Sequence, residues 1–197
     1  MAVRENGFDP RALMAGLHRN RVVYVLIGGL ARVIRGTDEI TNGVDICPSL
    51  RPDNVERLGE AFEDLEARRV DRRRLVVNEE TLRSERVLRL RTEFGELKVV
   101  AEPAGTRRGF NDLRRGATVE HVGEGLRLRV ASVPDLARMS AALAHELGQQ
   151  QGRDAERLAE LEIERSRELR RIMEVEVGLD RTLGLEREID RGMDIGM

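Results

Sequence analysis

The sequence is poor in cysteine, aromatic residues and lysine. Its 197 residues include one cysteine, no tryptophan and 3% aromatic residues. A single cysteine excludes an intramolecular disulfide. Because Cys47 directly follows an apolar, β-branched pattern, we interpret it as a small buried side chain rather than a nucleophile. Lys98 is the single lysine among 34 basic residues, so its position needs a separate explanation.

The sequence also lacks long apolar runs and an excess of either charge. No run approaches the length of a membrane span, and no charged-then-apolar segment opens the chain, so we expect a cytoplasmic protein with no membrane partner. With 34 basic and 36 acidic residues the net charge is -2, which gives no polyanion-binding signature to the chain as a whole. We interpret the densest basic run, residues 68–74, as a solvated loop, with nucleic-acid contact as the alternative.

The stretch of residues 22–48 contains the most informative pattern. An apolar β-branched run ends in Gly28-Gly29, a short helix and a polar loop follow, and a second short strand contains Asp45 between two apolar residues. A carboxylate inside a buried strand is costly unless it has a partner. The Gly-Gly pair suits either a close approach of backbone to a ligand or tight packing without one.

The remaining patterns alternate between helices and strands. Asp9 and Pro10 predict the start of a first helix, and Pro52 starts a second helix with apolar residues at helical spacing. Two hairpins are predicted, over residues 86–101 and 118–130, and Ser132 caps a helix that runs to about His145. None of the three histidines has metal-ligand spacing with other candidates. We predict an α/β (α+β) fold with a small mixed sheet flanked by helices and a helical C-terminal extension.

The order of these segments resembles a known family. The segments are YVLIGG with LARVIRG, then PDNVERLGEAFEDL, then FGELKVVAEPAGTRRGFNDL and RLRVASVPDLARM. Over about residues 20 to 165 they resemble the minimal nucleotidyltransferases of the polymerase-beta-like superfamily, most closely the AbiEii-type group, which includes components of toxin–antitoxin systems.

The resemblance implies a phosphate and metal site. In that family the Gly-Gly turn holds the phosphates of a nucleoside triphosphate (NTP), and three aspartates on two strands hold the divalent metal, Mg²⁺. On this basis we assign Gly28, Gly29 and Thr41 to nucleotide binding, Asp45 to metal and catalysis, and Arg153 and Asp154 to supporting catalytic roles. Lys98, which departs from the family pattern, is assigned to nucleotide binding by its charge.

This chain departs from the family pattern at two of the three acids. Gly43 stands where the first aspartate is expected, and Lys98 stands where the third is expected, while Ser140 occupies the place of a phosphate-contacting lysine. A dication roughly 5 Å from Lys98 would meet a repulsion of about 6 to 7 kcal/mol at an effective dielectric of about 20. Glu96 is a displaced carboxylate that could substitute, about 6 to 7 Å along the strand.

Three alternatives for Lys98 therefore follow. Asp45 and Lys98 form an internal ion pair on adjacent strands, or a working metal site persists around Asp45, or Lys98 contacts a nucleotide phosphate directly as a point charge. The first and third alternatives predict a site without metal.

Two functions are compatible with these patterns. One is a toxin-type enzyme that transfers a nucleotide from an NTP to RNA, with tRNA as acceptor and a cognate antitoxin as partner. The other is an inactive pseudo-nucleotidyltransferase that binds a nucleotide or a protein. We expect a core over residues 1–131 and a helical region over 132–197 that packs on the core, on a partner, or on a second copy of the chain.

Overall fold

The computed structural model describes residues 7–122 and 125–147, together with residues 160 and 164. Residues 7–147 belong to one compact unit, residues 1–158, and the second unit comprises residues 159–197. In the second unit Glu160 and Glu164 are helical and exposed. Of the helical region expected over residues 132–197, the structure describes residues 132–147, 160 and 164, and the expected partner surface over residues 175–197 lies outside the described residues.

A mixed sheet forms the centre of the first unit. Within the described residues its strands are β1 (Tyr24–Ile27), β2 (Gly43–Pro48), β3 (Arg68–Arg69), β4 (Leu88–Thr92), β5 (Gly95–Val99), β6 (Thr118–His121) and β7 (Arg127–Val130). Their spatial order is β3-β4-β5-β2-β1-β7-β6. The β1–β2 pair is antiparallel, whereas β2 pairs with β5 and β1 pairs with β7 in parallel. The predicted mixed sheet and both predicted hairpins, β4–β5 and β6–β7, are confirmed.

Helices flank this sheet. The described helices are α1 (Pro10–Arg19), α2 (Gly28–Ile34), α3 (Pro52–Asp64), α4 (Glu79–Ser84), α5 (Phe110–Gly116) and α6 (Val133–Leu147). The predicted caps are present. The Asp9 carboxylate accepts the Ala12 backbone N–H at 3.0 Å, and the Ser132 hydroxyl accepts the Asp135 N–H at 3.2 Å. These contacts satisfy backbone donors that a helix start otherwise leaves unpaired.

The core lies on the faces of the two central strands. All four residues of β1 are buried, as a strand covered on both faces requires. The apolar stripes of α1 and α3 pack there, with Leu17, Leu58 and Phe62 almost fully buried. Because β1 and β2 are held from both sides, the residues at their ends have fixed positions.

Two features of the fold differ from the sequence-based expectations. Helix α4 lies in a stretch for which we predicted no element. Its six residues bury a single apolar side chain, Leu82, so the sequence shows no apolar spacing there. The run 68–74 is not simply a solvated loop, since Arg68–Arg69 is an edge strand paired with β4. Arg69 is buried and forms salt bridges with Asp71 and Glu85, at 2.7 and 2.8 Å.

In the part of the chain that the structure describes, none of the helices is both long enough and apolar enough to cross a lipid bilayer.

Candidate functional site

Three strands bring the predicted site residues together. Asp45 lies opposite Ile27 of β1, directly before Gly28, and opposite Lys98 of β5 on its other side. The Lys98 Nζ is 3.5 Å from the Asp45 Oδ1. The ion pair between adjacent strands, one of the three alternatives for Lys98, is therefore present.

The Asp45 carboxylate is shielded from water. Its side chain is 16% exposed, against 32% for Lys98. Burial raises the pKa of Asp45 above its usual range, while Lys98, a hydrogen bond from the Gly29 backbone N–H, and the Arg32 guanidinium oppose that rise. A carboxylate with these partners is already satisfied without a metal ion.

The Gly-Gly turn packs directly on this carboxylate. Gly28 has a φ of +68°, which favours glycine, and a Cβ there would overlap the Asp45 side chain. A Cβ on Gly29 would lie 3.0 Å from the Thr41 Oγ1. The Thr41 hydroxyl in turn donates to the Gly43 carbonyl oxygen at 3.1 Å. Gly28, Gly29, Thr41 and Asp45 thus form one contact network at the ends of β1 and β2.

A cavity of about 580 Å³ opens over this network. Its volume lies within the range of about 300–1,000 Å³ that small-molecule sites have. The lining includes Gly28, Gly29, Thr41, Asp45, Lys98 and Ser140. Three cations, Arg32, Arg86 and Lys98, and three carboxylates, Glu39, Asp45 and Glu102, also line it, so its formal charge is zero.

These carboxylates do not fit a Mg²⁺ ion. The Arg32 guanidinium donates two hydrogen bonds of 2.7 Å to Glu39, and Arg83 donates one of 2.5 Å to Glu102. With Asp45 held by Lys98, each carboxylate of the cavity has a cationic partner. Among the described residues no group of three or more His, Cys, Asp or Glu side chains could hold a metal ion. Mg²⁺ is usually bound in octahedral geometry by one or two carboxylates together with waters and substrate phosphates, and here the carboxylates already have cationic partners.

The two departures from the family pattern have different structural settings. A Cβ at Gly43 would lie 3.0 Å from the Glu96 carbonyl oxygen and 3.4 Å from the Glu96 Cβ, so an aspartate there would push against the backbone of β5. Glu96, the displaced carboxylate, accepts a 2.6 Å hydrogen bond from Arg89, which lowers its pKa. Neither position supplies a carboxylate that is free to bind metal.

Two of the predicted site residues lie outside the described residues, and three residues that line the cavity were not predicted from the sequence. Arg153 and Asp154, assigned to supporting catalytic roles, lie outside the described residues. Arg32, Glu39 and Glu102 line the cavity without having been predicted, because a charged residue on a short helix or a loop looks like any solvated residue in the sequence. Because α2 starts at the Gly28-Gly29 turn beside the cavity, the place of Arg32 on this helix could have predicted that it lies near the site.

Solved structures that are similar to this chain include the following two. The solution structure of the antibiotic-resistance factor ANT(2'')-Ia is 14% identical with a TM-score of 0.48, and the match covers 83% of this chain and 91% of that chain. A crystal structure of a candidate nucleotidyltransferase from Thermotoga maritima is 15% identical with a TM-score of 0.46, and that match covers 78% of this chain and 90% of that chain. Because both TM-scores lie below 0.5, we draw no function from either likeness. No family model and no curated protein matches the sequence.

Proposed function

We propose that this chain is a nucleotidyltransferase-like binding module whose cavity takes a nucleoside triphosphate, or a related phosphorylated ligand, without catalytic Mg²⁺. The observation that carries the proposal is the 3.5 Å ion pair between Asp45 and Lys98 on adjacent strands. At the position of Lys98 the resembling family has an acid that helps to hold metal. This chain has an ammonium group there instead, beside Asp45. The glycine turn and the strand ends that line the cavity match the pattern of the resembling family, but the lining lacks the excess negative charge of a metal-dependent nucleotide site.

Lys98 supplies the contact to phosphate in this proposal. Its side chain is about one-third exposed and lines the cavity, so the ammonium group can meet a ligand without leaving Asp45. An ammonium group binds phosphate as a point charge. Asp45 opposes that binding, because a second anion then lies beside the phosphate.

The competing proposal is a toxin-type enzyme that transfers a nucleotide to tRNA and is restrained by an antitoxin. It is supported by the order of the sequence segments and would use Asp45 as metal ligand, with Arg153 and Asp154 in support. The neutral charge of the cavity and the pairing of its carboxylates favour the binding module.

Asp45→Asn separates the two proposals, because they predict opposite results. In the binding module the substitution removes repulsion beside the phosphate, and we expect affinity for ATP or GTP to rise by about threefold to tenfold, in Mg²⁺ as well as without it. Lys98→Met should abolish measurable binding. In a magnesium enzyme Asp45→Asn would instead remove the metal ligand, so nucleotide affinity in Mg²⁺ would fall.

The measurement is isothermal titration calorimetry of the full chain with each NTP, with and without Mg²⁺. Glu60→Gln on α3 and Arg68→Gln on β3 are matched controls, since each removes one exposed charge that does not line the cavity. A parallel incubation with labelled NTP, Mg²⁺ and total tRNA tests transfer. Label on RNA that disappears in Asp45→Asn would sink the binding-module proposal.

A further inference from the structure

A second groove in the first unit has a strong positive charge. It has a volume of about 770 Å³ and lies beside the Pro48 end of β2, whereas the Asp45 end of that strand faces the first cavity. Six arginines and two carboxylates, Asp53 and Glu102, line this groove, so its lining has a net charge of +4. The arginines are Arg51, Arg83, Arg107, Arg108, Arg114 and Arg129. The whole chain has a net charge of -2, so this positive charge is a local property of the groove.

The carboxylates of the groove neutralise only part of this charge. Arg83 is bound to Glu79 and Glu102, and Arg51 lies 3.8 Å from Asp53. Within residues 7–147 as described, the side chains of Arg107, Arg108, Arg114 and Arg129 have no carboxylate within salt-bridge distance. Guanidinium groups that face one groove without counter-ions repel one another, and a bound anion would relieve that repulsion.

A lining with a net charge of +4 suits an anion that carries several negative charges. The arginines come from five separate places, namely the approach to α3, α4, the loop before α5, α5 itself, and β7. Several guanidinium groups that line one groove can each bind a different phosphate of one strand, and their planar fork matches phosphate oxygens bidentately.

The groove wall also includes an aromatic ring and an amide. Phe110 and Asn111, at the start of α5, also line the groove. Phe110 is half-buried, so its inner side packs on the core while the rest remains available to the groove. An aromatic face stacks on an unpaired base, and an amide can hydrogen-bond to a base edge. An acidic peptide would use the arginines but would gain little from these two residues.

We propose that this groove binds single-stranded nucleic acid, with the arginines on the phosphodiester backbone and Phe110 against a base. Recognition of the backbone is chemistry that RNA and DNA share. The proposal is independent of the function of the first cavity, because it rests on different residues apart from Glu102, which lines both.

The basic run 68–74, the densest in the sequence, does not line this groove. Part of its charge is neutralised by Asp71 and Glu85. It therefore provides a matched control. Arg114→Gln with Arg129→Gln removes two charges from the groove, and Arg68→Gln with Arg74→Gln removes two exposed charges from the run.

Fluorescence anisotropy of the full chain with labelled 12-nucleotide RNA and DNA of the same sequence tests the proposal. At 50 mM KCl we expect the groove double variant to bind at least about tenfold more weakly than wild type, and the control double variant within about twofold of wild type. The slope of log affinity against log salt should fall by about 1.4 in the groove variant, at about 0.7 for each lost phosphate contact. Equal losses in both double variants would overturn the proposal.

Further arms identify the ligand chemistry. Equal binding of RNA and DNA supports the proposal. A preference for RNA also supports it, because the RNA 2′-hydroxyl would add a contact at the same backbone site. Displacement of RNA by poly-glutamate at equal charge concentration would show an acidic-peptide site and overturn it. A photo-crosslink from 4-thiouridine RNA to the wild-type chain needs no variant and so does not depend on variant folding. Crosslinks at Phe110 or Asn111 support the proposal, and crosslinks confined to residues outside the groove contradict it.

Discussion

Lys98 and Asp45 determine what the first cavity can do, because each is satisfied chiefly by the other. Lys98→Met would leave the Asp45 carboxylate in a largely buried position with only the Gly29 N–H and the more distant Arg32 to oppose the cost of burial. We expect a loss of about 1–3 kcal/mol in the free energy of unfolding at pH 7, towards the lower value since Lys98 is partly exposed. Urea unfolding measures it, and Lys98→Met in an Asp45→Asn background should cost less.

The pH dependence of that loss follows from the pKa of Asp45. Because burial raises the pKa of Asp45 in the folded state, the folded protein binds this proton more tightly than the unfolded chain does. The resulting contribution to the free energy of unfolding is fully present below the unfolded pKa of 3.8 and is lost as pH rises through the folded pKa. Lys98→Met removes a contact that lowers this pKa, so the pKa rises further. The stability deficit of the variant should therefore shrink as pH falls from 7 to 4. A deficit that is constant over this range would contradict the pairing.

Gly28 is expected to be the least replaceable residue of the turn. Gly28→Ala would place a methyl group on Asp45 and strain a φ of +68°, and we expect a loss of more than about 2 kcal/mol, since the left-handed conformation alone costs roughly 1–2 kcal/mol. Gly36→Ala is the matched control, because Gly36 has a φ of +104° but no atom within 4 Å of the added Cβ. Thermal or urea unfolding compares them. Equal losses would show that the contact with Asp45 does not matter.

The sequence identified the residues of the first cavity better than those of the second groove. Asp45 and Gly28-Gly29 were recognisable because a buried carboxylate and paired glycines are unusual in a strand and at its end. The groove arginines are spread from Arg51 to Arg129, so no local cluster signals them, and their meeting depends on the strand order. The densest basic run was a poor guide because its neighbours Asp71 and Glu85 neutralise part of it.

At the scale of elements, α3 is held by a side chain whose role was not predicted. The Asn54 amide is 1% exposed and accepts the Val23 N–H at 2.6 Å, and its Nδ2 donates to the carbonyl oxygens of Val23 and Ser49 at 3.0 and 2.7 Å. These bonds link the start of α3 to the ends of both central strands. The apolar spacing predicted the helix, but a polar anchor leaves no periodic signal.

Gly59 is a weak point within the same helix. Glycine in a helix interior costs roughly 0.5–1 kcal/mol relative to alanine, and a Cβ here would meet only the Val77 Cβ, at an ordinary 3.9 Å. We expect Gly59→Ala to raise the free energy of unfolding by about 0.5–1 kcal/mol, measured by urea denaturation. Gly16→Ala on α1 is the contrasting variant, since its Cβ would lie 2.6 Å from the Leu65 Cδ2 and should destabilise. Stabilisation by both would contradict this account.

Elements with strong periodicity and caps were predictable, and short edge elements were not. Helices α1 and α3 and both hairpins followed from apolar spacing and turn residues. Strand β3 has two residues, which pair with Arg91 and Leu90 of β4 far along the chain, so no local pattern signals it. Strand order is likewise a tertiary property, because β5 and β7 reach β2 and β1 from far along the chain.

At the scale of the whole molecule, Cys47 can report on opening of the sheet. It is fully buried on β2, its thiol donates to the Ala101 carbonyl oxygen at 3.6 Å, and burial raises the pKa of its thiol. Thiolate is the reactive form, so we expect labelling by a disulfide reagent to be slow and to follow unfolding of the central strands. Because the chain has one cysteine, no other thiol complicates the measurement. Rapid labelling of protein with unchanged circular dichroism would contradict this.

The order of the strands also has a consequence for synthesis. Strands β1 and β2 lie in the middle of the sheet, yet their outer neighbours β5 and β7 end at residues 99 and 130. At about 5–20 residues per second, translation of the 51 residues from Ser49 to Val99 takes roughly 3 to 10 s, and translation of the 82 residues from Ser49 to Val130 takes roughly 4 to 16 s. During the first interval the outer edge of β2, and during the second the outer edge of β1, has unpaired backbone N–H and C=O groups on a ribosome-bound chain. The central strands of the finished sheet are thus the ones whose edges stay unpaired for seconds while the chain is being made.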